Sequence, residues 1–366
     1  AQVVNQKAID EMQDQITIVY TPLHGTGNIP ARRVMKEIGF THVYVVPEQE
    51  LPNGDFPTVS YPNPEAKEAF ELGLKLAKEK DADLVLATDP DADRLGVYVK
   101  DTKSGEYIPL TGNMSGSLLC EYVLSQKQAA GKIPADGQVV KSIVTTNLVD
   151  AVAKNYGAEL IEVLTGFKWI GKQILKNETT GHGTYLFGME ESYGCLIGTY
   201  ARDKDAVSAC CLIAEVAAWA KDNGKTLYQL LMDIYVEYGF SKEFTVNVVK
   251  PGKSGAEEIK AMMENFRANP PKELGGSKVV LSKDYKTLKQ TDAAGHVTDI
   301  DMPEPSNVLQ YFTEDGGKVS VRPSGTEPKI KFYIEVKGEM GCRNCFATAD
   351  AEATEKVEAV KKSLGI

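Results

Sequence analysis

Three aspartates stand at alternate positions in one short segment of the chain. Asp89, Asp91 and Asp93 lie in the run Asp-Pro-Asp-Ala-Asp-Arg at residues 89–94. In a looped or extended backbone, carboxylates at positions i, i+2 and i+4 can turn to one side, where their charges repel unless a cation lies among them. Mg²⁺ is the natural occupant because it prefers oxygen ligands. The spacing therefore indicates a metal site, with a solvated acidic turn as the alternative.

Two other kinds of site share features of this segment. An EF-hand calcium loop is excluded, because its sixth position is Arg94 instead of glycine and its twelfth is Lys100 instead of glutamate. The strand-like run 84–88 before Asp89 also looks like the opening of haloacid dehalogenase-type phosphatases, in which the first aspartate is the nucleophile. Asp93 stands where those enzymes carry threonine or valine. The phosphatase is therefore kept as an alternative.

A second segment has the composition of an anion-binding loop. It reads Arg-Pro-Ser-Gly-Thr-Glu-Pro at residues 322–328, between predicted strands 318–321 and 330–336. A guanidinium, two hydroxyls and a glycine that lets backbone amides approach a ligand suit a phosphate group. Lys329 adds a positive charge beside the loop. A hairpin turn with an exposed arginine is the structural alternative.

A third segment offers both carboxylates and a hydroxyl. Glu190, Glu191 and Ser192 lie between Gly188 and Gly194. Such acceptors suit the hydroxyl groups of a sugar, and a solvated loop is the alternative. Further along, residues 202–205 form a mixed-charge patch that is equally typical of a salt-bridged surface turn.

Two nucleotide-binding motifs are excluded by single residues. The segment Gly-Thr-Gly-Asn-Ile-Pro at residues 25–30 has Pro30 where a dinucleotide loop needs glycine or alanine. The Gly-Lys-Ser at residues 252–254 would complete a phosphate-binding P-loop only with glycine at position 247, which is Asn247.

The predicted elements that carry these segments repeat along the chain. A strand, a helix and a second strand are predicted at 16–20, 29–38 and 42–46, and again at 139–145, 147–156 and 159–164. In each copy a later strand, 82–88 or 183–187, then runs into an acidic loop. Because parallel α/β sheets bind ligands at the carboxyl ends of their strands, both acidic loops are expected at functional edges.

This repetition predicts two tandem α/β domains with mixed or parallel sheets, followed by an α+β domain with an antiparallel sheet. Helices at 206–220 and 227–238 close the second domain, and 239–242 is a predicted hinge. The polar stretch 284–304 fits either a loop or ordered strands. The predicted domains are residues 1–112 with the metal loop, 113–240 with the sugar loop and 241–366 with the phosphate loop.

The amino-acid composition limits which partners the protein is expected to bind and in which compartment it is expected to function. The 366 residues include 41 basic and 51 acidic side chains, for a net charge of −10, so neither nucleic acid nor an anionic membrane is an expected partner. The sequence shows no membrane-spanning apolar run, and its first residues lack the features of a signal peptide. Scattered cysteines favour a reducing, cytoplasmic compartment. Cys342 and Cys345 form one CxxC, for which a zinc or redox role is the lesser alternative.

Five segments in chain order resemble motifs of the α-D-phosphohexomutases, the phosphoglucomutase/phosphomannomutase family. They are Thr-Pro-Leu-His-Gly-Thr-Gly at 21–27, the aspartate run at 89–94, Thr-Gly-Phe-Lys at 165–168, Gly-Met-Glu-Glu-Ser at 188–192 and the loop at 322–328. Each motif is weak alone, but the ordered set is specific and spans nearly the whole chain. That family has four domains, three related α/β units and a final α+β domain, and the resemblance here begins at the second.

The resemblance implies a role for each candidate residue. Asp89, Asp91 and Asp93 would bind Mg²⁺. The sugar would contact Glu190 and Ser192, with Thr165 and Gly166 lining the substrate site. The phosphate would be held by Arg322, Ser324, Gly325 and Thr326, with Lys329 beside them. The residues expected near the reacting centre are Arg94, Lys204 as a candidate general acid or base, and His24.

The family's reaction implies a nucleophile that this sequence does not show. Phosphoryl transfer proceeds through a phosphoserine and a hexose 1,6-bisphosphate, with Mg²⁺ offsetting charge on the transferring group. That serine belongs to a first-domain loop of the Thr-Ala-Ser-His-Asn-Pro type, whereas the four histidines here follow Leu, Thr, Gly and Gly. We therefore expect a fragment covering domains two to four, which binds Mg²⁺ weakly and does not turn over substrate alone.

The implied activity is the interconversion of glucose 1-phosphate and glucose 6-phosphate. The Glu-Glu-Ser version of the sugar loop looks more like that of the glucose-directed members, while phosphomannomutase and phosphopentomutase remain alternatives. A non-catalytic phosphosugar-binding module is a further alternative. In each of the mutase and binding-module cases the partner is a small phosphosugar.

Overall fold

The computed structural model describes residues 3–325 and 327–366, apart from the side chain of Lys253. By their internal contacts the residues divide into two units, Ala1–Ile234 and Tyr235–Ile366. Within the described part of the chain, every helix is too short or too polar to cross a lipid bilayer.

The first unit begins with a mixed five-stranded sheet. Its strand order is β2-β1-β3-β4-β5, with β1 parallel to β2 and β3, and β4 antiparallel to β3 and β5. The elements are α1 (Gln6–Met12), β1 (Thr17–Thr21), α2 (Asn28–Ile38), β2 (His42–Val45), α3 (Glu71–Lys80), β3 (Leu84–Thr88), β4 (Leu95–Lys100) and β5 (Tyr107–Leu110). Short 3₁₀ turns lie at Pro47–Gln49 and Lys67–Phe70.

The central strands of this sheet form where the sequence is continuously apolar. All five residues of β3 are buried, as expected of an inner strand covered on both faces. Helix α2 ends at Ile38 and is followed by Gly39, which has a φ of 128° that favours glycine. The predicted strand, helix, strand order in this part of the chain is therefore confirmed, with bounds that differ by at most one residue.

The second sheet of the first unit repeats the strand order of the first. Its order is β7-β6-β8-β9, with β6 parallel to β7 and β8, and β9 antiparallel to β8. The elements are α4 (Gly112–Ala129), β6 (Gly137–Ser142), α5 (Leu148–Asn155), β7 (Glu159–Val163), α6 (Lys168–Thr180), β8 (Thr184–Glu190), β9 (Gly194–Leu196), α7 (Ala206–Asp222) and α8 (Leu227–Tyr238). The predicted tandem α/β repeat is confirmed.

Two details of the predicted elements are wrong. The strand predicted at 183–187 continues to Glu190, because Gly188, Met189 and Glu190 pair with β9. The hinge predicted at 239–242 is mostly strand, since the next strand begins at Phe240 and its residues pair in register with a later strand. Both differences arise from pairing partners that lie elsewhere in the sequence.

The second unit contains an antiparallel sheet, as predicted. Its order is β10-β17-β16-β15-β12-β13-β14, with β11 paired to β12. The elements are β10 (Phe240–Val249), α9 (Gly252–Ala268), β11 (Glu273–Leu274), β12 (Ser277–Asp284), β13 (Lys289–Asp292), β14 (Val297–Asp299), β15 (Leu309–Thr313), β16 (Lys318–Pro323), β17 (Lys329–Gly338) and α10 (Phe346–Leu364). The polar stretch 284–304 thus contains β13 and β14, so it is partly ordered strand.

The described cysteines are of two kinds. Cys342 and Cys345 are joined as a disulfide beside the short 3₁₀ turn Arg343–Cys345. Buried free thiols are found at Cys120, Cys195, Cys210 and Cys211. The CxxC is therefore an oxidised pair in this structure, while the remaining four cysteines are core residues.

Candidate active site

The three aspartates lie together in the loop between β3 and β4. One carboxylate oxygen from each of Asp89, Asp91 and Asp93 falls within a 4.8 Å cluster, which could hold a metal ion. Asp89 is only 8% exposed. Burial, together with the charges of Asp93 and Asp91, raises the pKa of Asp89 to about 7. A cation among these oxygens would relieve that repulsion, so the donor set fits a hard divalent ion.

The metal loop, residues 89–94, is shaped by its own first carboxylate. Asp89 Oδ1 accepts hydrogen bonds from the backbone N–H groups of Asp93, at 3.0 Å, and Arg94, at 2.9 Å. Ala92 has a φ of 58°, a left-handed conformation that is costly for a residue with a Cβ. Such strain persists where the surrounding contacts fix the backbone, which is typical of functional loops.

The segment 21–27 lies directly against the metal loop. The backbone N–H of Thr26 donates to Pro90 O at 2.8 Å. A Cβ on Gly25 would lie 2.4 Å from Pro90 Cα, so only glycine allows this approach. His24 is buried, and its ring nitrogens are 3.2 Å from Leu51 O and 2.8 Å from Thr58 Oγ1. The imidazole is thus engaged on both sides by the protein.

Two cations approach the aspartates. Lys204 Nζ lies 2.8 Å from Asp93 Oδ2 and 2.9 Å from Asp203 Oδ1. Burial lowers the pKa of Lys204, but the hydrogen bonds to Asp93 and Asp203 outweigh it and raise the pKa overall. Arg94 Nε is farther away, at 3.8 Å from Asp89 Oδ2 and 3.7 Å from Asp93 Oδ1.

The sugar-loop carboxylate Glu190 is the last residue of β8. It is buried and accepts a 2.7 Å hydrogen bond from the backbone N–H of Gly166, which has a φ of 111° in the loop after β7. Burial, and then the charge of Glu191, raise the pKa of Glu190 to about 7. Thr165, which precedes Gly166, and Ser192, two residues after Glu190, are both half-buried. The predicted sugar-site residues therefore lie on two loops joined by one hydrogen bond.

Backbone hydrogen bonds connect the metal loop and the start of β4 to segments that adjoin the second sheet. The N–H of Leu95 donates to Tyr193 O at 3.0 Å, and the N–H of Ala206 donates to Ala92 O at 3.0 Å. Lys204 contributes to the charge felt by Glu190, lowering its pKa. The structure therefore brings the metal loop, Lys204 and the sugar loop to neighbouring edges of the first unit.

The phosphate loop belongs to the second unit, in the turn between β16 and β17. The N–H of Ser324 donates to Lys329 O at 2.8 Å, and the N–H of Glu327 donates to Ser324 Oγ at 3.3 Å. Arg322 is half-buried, Gly325 is exposed, and Lys329 pairs with Glu327. Thr326, also predicted here, lies outside the described residues. A cavity of about 390 Å³ adjoins this loop, and its basic lining residues are Lys260, Arg267, Lys286 and Lys329.

Sequence reasoning missed several residues that shape the site. Glu65 lies 3.7 Å from Arg94, and the hydroxyls of Ser142 and Thr145 each lie 3.2 Å from Glu191 Oε2. Gly194 reads in the sequence as an ordinary loop glycine, but in the structure its lack of a side chain leaves room for the Lys204 side chain. Because these contacts join residues far apart in the chain, no local signal in the sequence indicates them.

Comparison with family models covers most of the chain. Residues 1–105 match phosphoglucomutase/phosphomannomutase alpha/beta/alpha domain II, 111–238 match alpha/beta/alpha domain III, and 251–360 match the C-terminal domain of the same family. The domain boundaries at residues 112 and 240 that the sequence predicts remain a proposal, since the matched ranges do not fix where one domain ends and the next begins.

Individual proteins agree with the family models. A phosphoglucomutase of Staphylococcus haemolyticus is 36% identical over 328 residues, or 89% of this chain and 58% of the relative. A probable phosphomannomutase of Haemophilus influenzae is 38% identical over 328 residues, or 88% of this chain and 60% of the relative. The chain thus spans somewhat over half the length of these curated relatives.

A solved structure shows the same fold. The open form of the exocytosis-sensitive phosphoprotein pp63/parafusin (phosphoglucomutase) from Paramecium superposes with a TM-score of 0.64 at 18% identity, over 99% of this chain and 60% of that chain. Together with the matched models, these likenesses agree with the motif order read from the sequence. The chain belongs to the phosphoglucomutase/phosphomannomutase family.

Proposed function

We propose that this chain supplies the metal, sugar and phosphate loops of a phosphosugar mutase. The reaction moves a phosphoryl group between O1 and O6 of a hexose, converting glucose 1-phosphate to glucose 6-phosphate through a phosphoserine and a hexose 1,6-bisphosphate. The observation that carries the proposal is the clustering, in one unit, of three metal-ligand carboxylates with Lys204 and the Glu190–Gly166 pair.

The metal ligands in this proposal are Asp89, Asp91 and Asp93. Mg²⁺ bound there supplies positive charge that compensates the charge of the transferring phosphoryl group. Asp89 Oδ1 already accepts two backbone hydrogen bonds, which keep the loop in shape. Preorganised in this way, the loop needs little rearrangement to hold the ion.

The sugar is held by the second sheet in this proposal. Glu190 and Ser192 offer a carboxyl group and a hydroxyl to the sugar, and Thr165 and Gly166 line the same site. Because the Gly166 N–H fixes one Glu190 oxygen, the other oxygen keeps a defined direction toward the ligand. A raised pKa lets Glu190 either donate or accept a proton near neutral pH.

The phosphate that is not being transferred is assigned to the second unit. Arg322, Ser324, Gly325 and Thr326 would hold it, with Lys329 adding charge from the end of the loop. Lys329 already pairs with Glu327, so its contribution depends on exchanging that partner for the phosphate.

The reacting centre draws on three further residues. Lys204 Nζ is the candidate to hold or move a proton, and Arg94 adds positive charge beside Asp89 and Asp93. Both ring nitrogens of His24 are engaged by Leu51 and Thr58, which supports a positioning role for His24 within the segment 21–27. The nucleophilic serine is assigned to the family's first domain, since no Ser-His pair occurs in this sequence.

Membership of the family supports a mutase over the haloacid dehalogenase-type phosphatase. Among mutases, the proposed substrate is a glucose phosphate, with mannose and pentose phosphates as the competing substrates. The proposed compartment is the cytoplasm; the four buried free thiols at Cys120, Cys195, Cys210 and Cys211 agree with it, whereas the Cys342–Cys345 disulfide does not favour a reducing compartment.

Calorimetric titration with glucose 1-phosphate tests the proposal. We expect binding by the wild-type chain and a loss of at least tenfold in affinity for Arg322→Ala, because a charge-assisted phosphate contact is removed. Arg33→Ala, an exposed arginine paired with Glu37 in α2, is the matched control and should bind normally. Titrations with mannose 1-phosphate and ribose 1-phosphate rank the alternatives. Equal binding by wild type and Arg322→Ala would contradict the assigned phosphate loop.

A further inference from the structure

The ammonium group of Lys204 contacts one carboxylate of the aspartate cluster. Its Nζ is 2.8 Å from Asp93 Oδ2, one of the carboxylates that would hold the metal. The Lys204 side chain is only 13% exposed, so this contact is screened less than an ion pair on the surface. A cation belonging to the protein therefore already neutralises part of the cluster.

The backbone that follows Lys204 is fixed by hydrogen bonds. The N–H of Asp205 donates to Cys195 O at 3.1 Å, and the N–H of Ala206 donates to Ala92 O at 3.0 Å. Asp205 also caps α7, accepting from the N–H groups of Val207 and Ser208. The residue that presents the ammonium is thus anchored both to its own sheet and to the metal loop.

Gly194 provides the space through which the Lys204 side chain passes. A Cβ at position 194 would lie 2.1 Å from Lys204 Cδ and 2.7 Å from Lys204 Cγ. These distances are far below van der Waals contact. Because the obstructing atoms belong to a flexible stem, alanine at this position would displace the lysine at little cost to the fold.

We propose that Lys204 is an internal cation that competes with the divalent ion for Asp93, and that Gly194 is the positioning residue that keeps it there. The inference rests on the proposed function, because it takes Asp89, Asp91 and Asp93 as the metal ligands. Metal binding to the cluster and the contact between Lys204 and Asp93 then oppose each other. Binding of the ion favours release of Lys204 from Asp93, and the Lys204–Asp93 contact weakens binding of the ion. Lys204 would keep Asp203 as a partner while its Nζ becomes available to the substrate.

Arg94 is the weaker competitor. Its Nε lies 3.7 Å or more from the nearest oxygens of Asp89 and Asp93, whereas Lys204 is at hydrogen-bond distance from Asp93. The proposal therefore assigns the competition to Lys204.

Mn²⁺ titration, followed by the electron paramagnetic resonance signal of the free ion, tests the coupling. We expect Lys204→Gln to bind Mn²⁺ about tenfold more tightly than wild type, because one favourable contact no longer has to be broken. Gly194→Ala should also bind more tightly, although it retains the lysine charge. Lys204→Arg should stay near wild type. Lys221→Gln, which removes a lysine paired with Asp83 at 3.0 Å, is the matched control and should be unchanged.

A second measurement follows the lysine itself. Acetylation of Lys204 by acetic anhydride, quantified by mass spectrometry, should rise several-fold when saturating Mg²⁺ is added, while acetylation of Lys221 should not change. This readout does not depend on enzymatic activity, and a loss of Mg²⁺ sensitivity in Gly194→Ala would support the role of Gly194.

The outcomes separate the inference from the function on which it rests. Equal Mn²⁺ affinity of wild type and Lys204→Gln would overturn the competition and leave the metal site intact. Tighter binding in Lys204→Gln with wild-type binding in Gly194→Ala would overturn the role of Gly194, since the lysine would then act through its charge alone. If wild type and all variants fail to bind Mn²⁺, both the metal site and the inference are overturned.

Discussion

The backbone N–H of Gly166 donates a 2.7 Å hydrogen bond to the carboxylate of Glu190 and so joins the loop after β7 to the end of β8. Glu190 is only 8% exposed, yet this hydrogen bond does not compensate fully for its burial. The residual cost is seen in the raised pKa of Glu190, which lies close to the pH at which cells operate.

Glu190→Gln should become increasingly stable relative to wild type as the pH rises from 4.5, the ordinary pKa of a glutamate, to about 7. The folded-state pKa is above the unfolded value, so the stability that the bound proton provides is lost as the pH rises through the folded pKa. Glutamine stays neutral and keeps an oxygen for Gly166. The gain should level off above pH 8 at roughly 2–4 kcal/mol.

Urea unfolding at intervals across this pH range measures that gain. Glu48→Gln, an exposed carboxylate of the same unit, is the matched control. A difference between wild type and Glu190→Gln that does not vary with pH would contradict the assigned burial cost.

Asp89→Asn should stabilise the chain in the absence of divalent ions and abolish its response to them. Asparagine keeps the acceptor for the Asp93 and Arg94 N–H groups but removes one of three repelling charges. We expect the melting temperature to rise by about 2–4 °C without metal. Adding Mn²⁺ should raise the melting temperature of wild type and of Asp55→Asn, a control in an exposed loop, but not that of Asp89→Asn. Equal Mn²⁺ stabilisation of Asp89→Asn would argue against the metal cluster.

Gly25→Ala should damage both the stability of the first unit and its metal binding. The added Cβ would meet Pro90 Cα at 2.4 Å and Pro90 O at 2.6 Å, and backbone atoms cannot move aside as a side chain can. We expect a loss of about 2–4 kcal/mol in unfolding free energy. Gly54→Ala is the control, because no described atom lies within 4 Å of its Cβ position. Chemical denaturation and Mn²⁺ titration of both variants measure these effects. Equal unfolding free energies and equal Mn²⁺ affinities for Gly25→Ala and Gly54→Ala would refute the close contact between Gly25 and Pro90.

Glu215→Ala should loosen the N-terminal segment. The Glu215 carboxylate is buried and accepts hydrogen bonds from Val4 N at 3.1 Å, Asn5 N at 2.6 Å and Tyr122 Oη at 2.9 Å. Removing it leaves three donors without this acceptor, at a cost of roughly 2–5 kcal/mol. Tyr122→Phe, which removes one donor, should cost about 1–2 kcal/mol.

Hydrogen exchange provides a local test of the Glu215 prediction. Amides of α1 should exchange faster in Glu215→Ala, with a smaller change in Tyr122→Phe. Unchanged exchange in α1, or a stability loss below 0.5 kcal/mol, roughly the scatter of neutral surface substitutions, would show that the N-terminal segment is held by other contacts.

Local sequence patterns were sufficient to predict much of the first unit. The run 84–88 is continuously apolar and forms the fully buried strand β3, which places Asp89 at its carboxyl end. The repeated element order correctly predicted that β6 and β8 would correspond to β1 and β3. For these elements, hydrophobic periodicity and turn residues are sufficient to indicate the structure.

Features that depend on contacts with other segments were not predictable. The predicted end of β8 is too early because the last residues of β8 pair with the neighbouring strand β9, whose three residues give no strand signal of their own. The left-handed backbone of Ala92 contradicts the preference of alanine and is imposed by neighbouring loops. Likewise, the contact between Lys204 and Asp93 joins two loops that are more than 100 residues apart in the sequence, so the sequence indicates both residues without indicating this contact.

The hydrogen bond from Ala206 to Ala92 sets a limit on how this chain can be divided. The acidic loop lies in the part matched by domain II, but one of its backbone oxygens is held by the first residue of a helix from the part matched by domain III. A segment that ends at residue 105 would keep Asp89, Asp91 and Asp93 but lose this anchor. The loop therefore draws part of its support from beyond the module that carries it in sequence, and a transplant of that loop into another protein keeps this anchor only if Ala206 and its helix are brought with it.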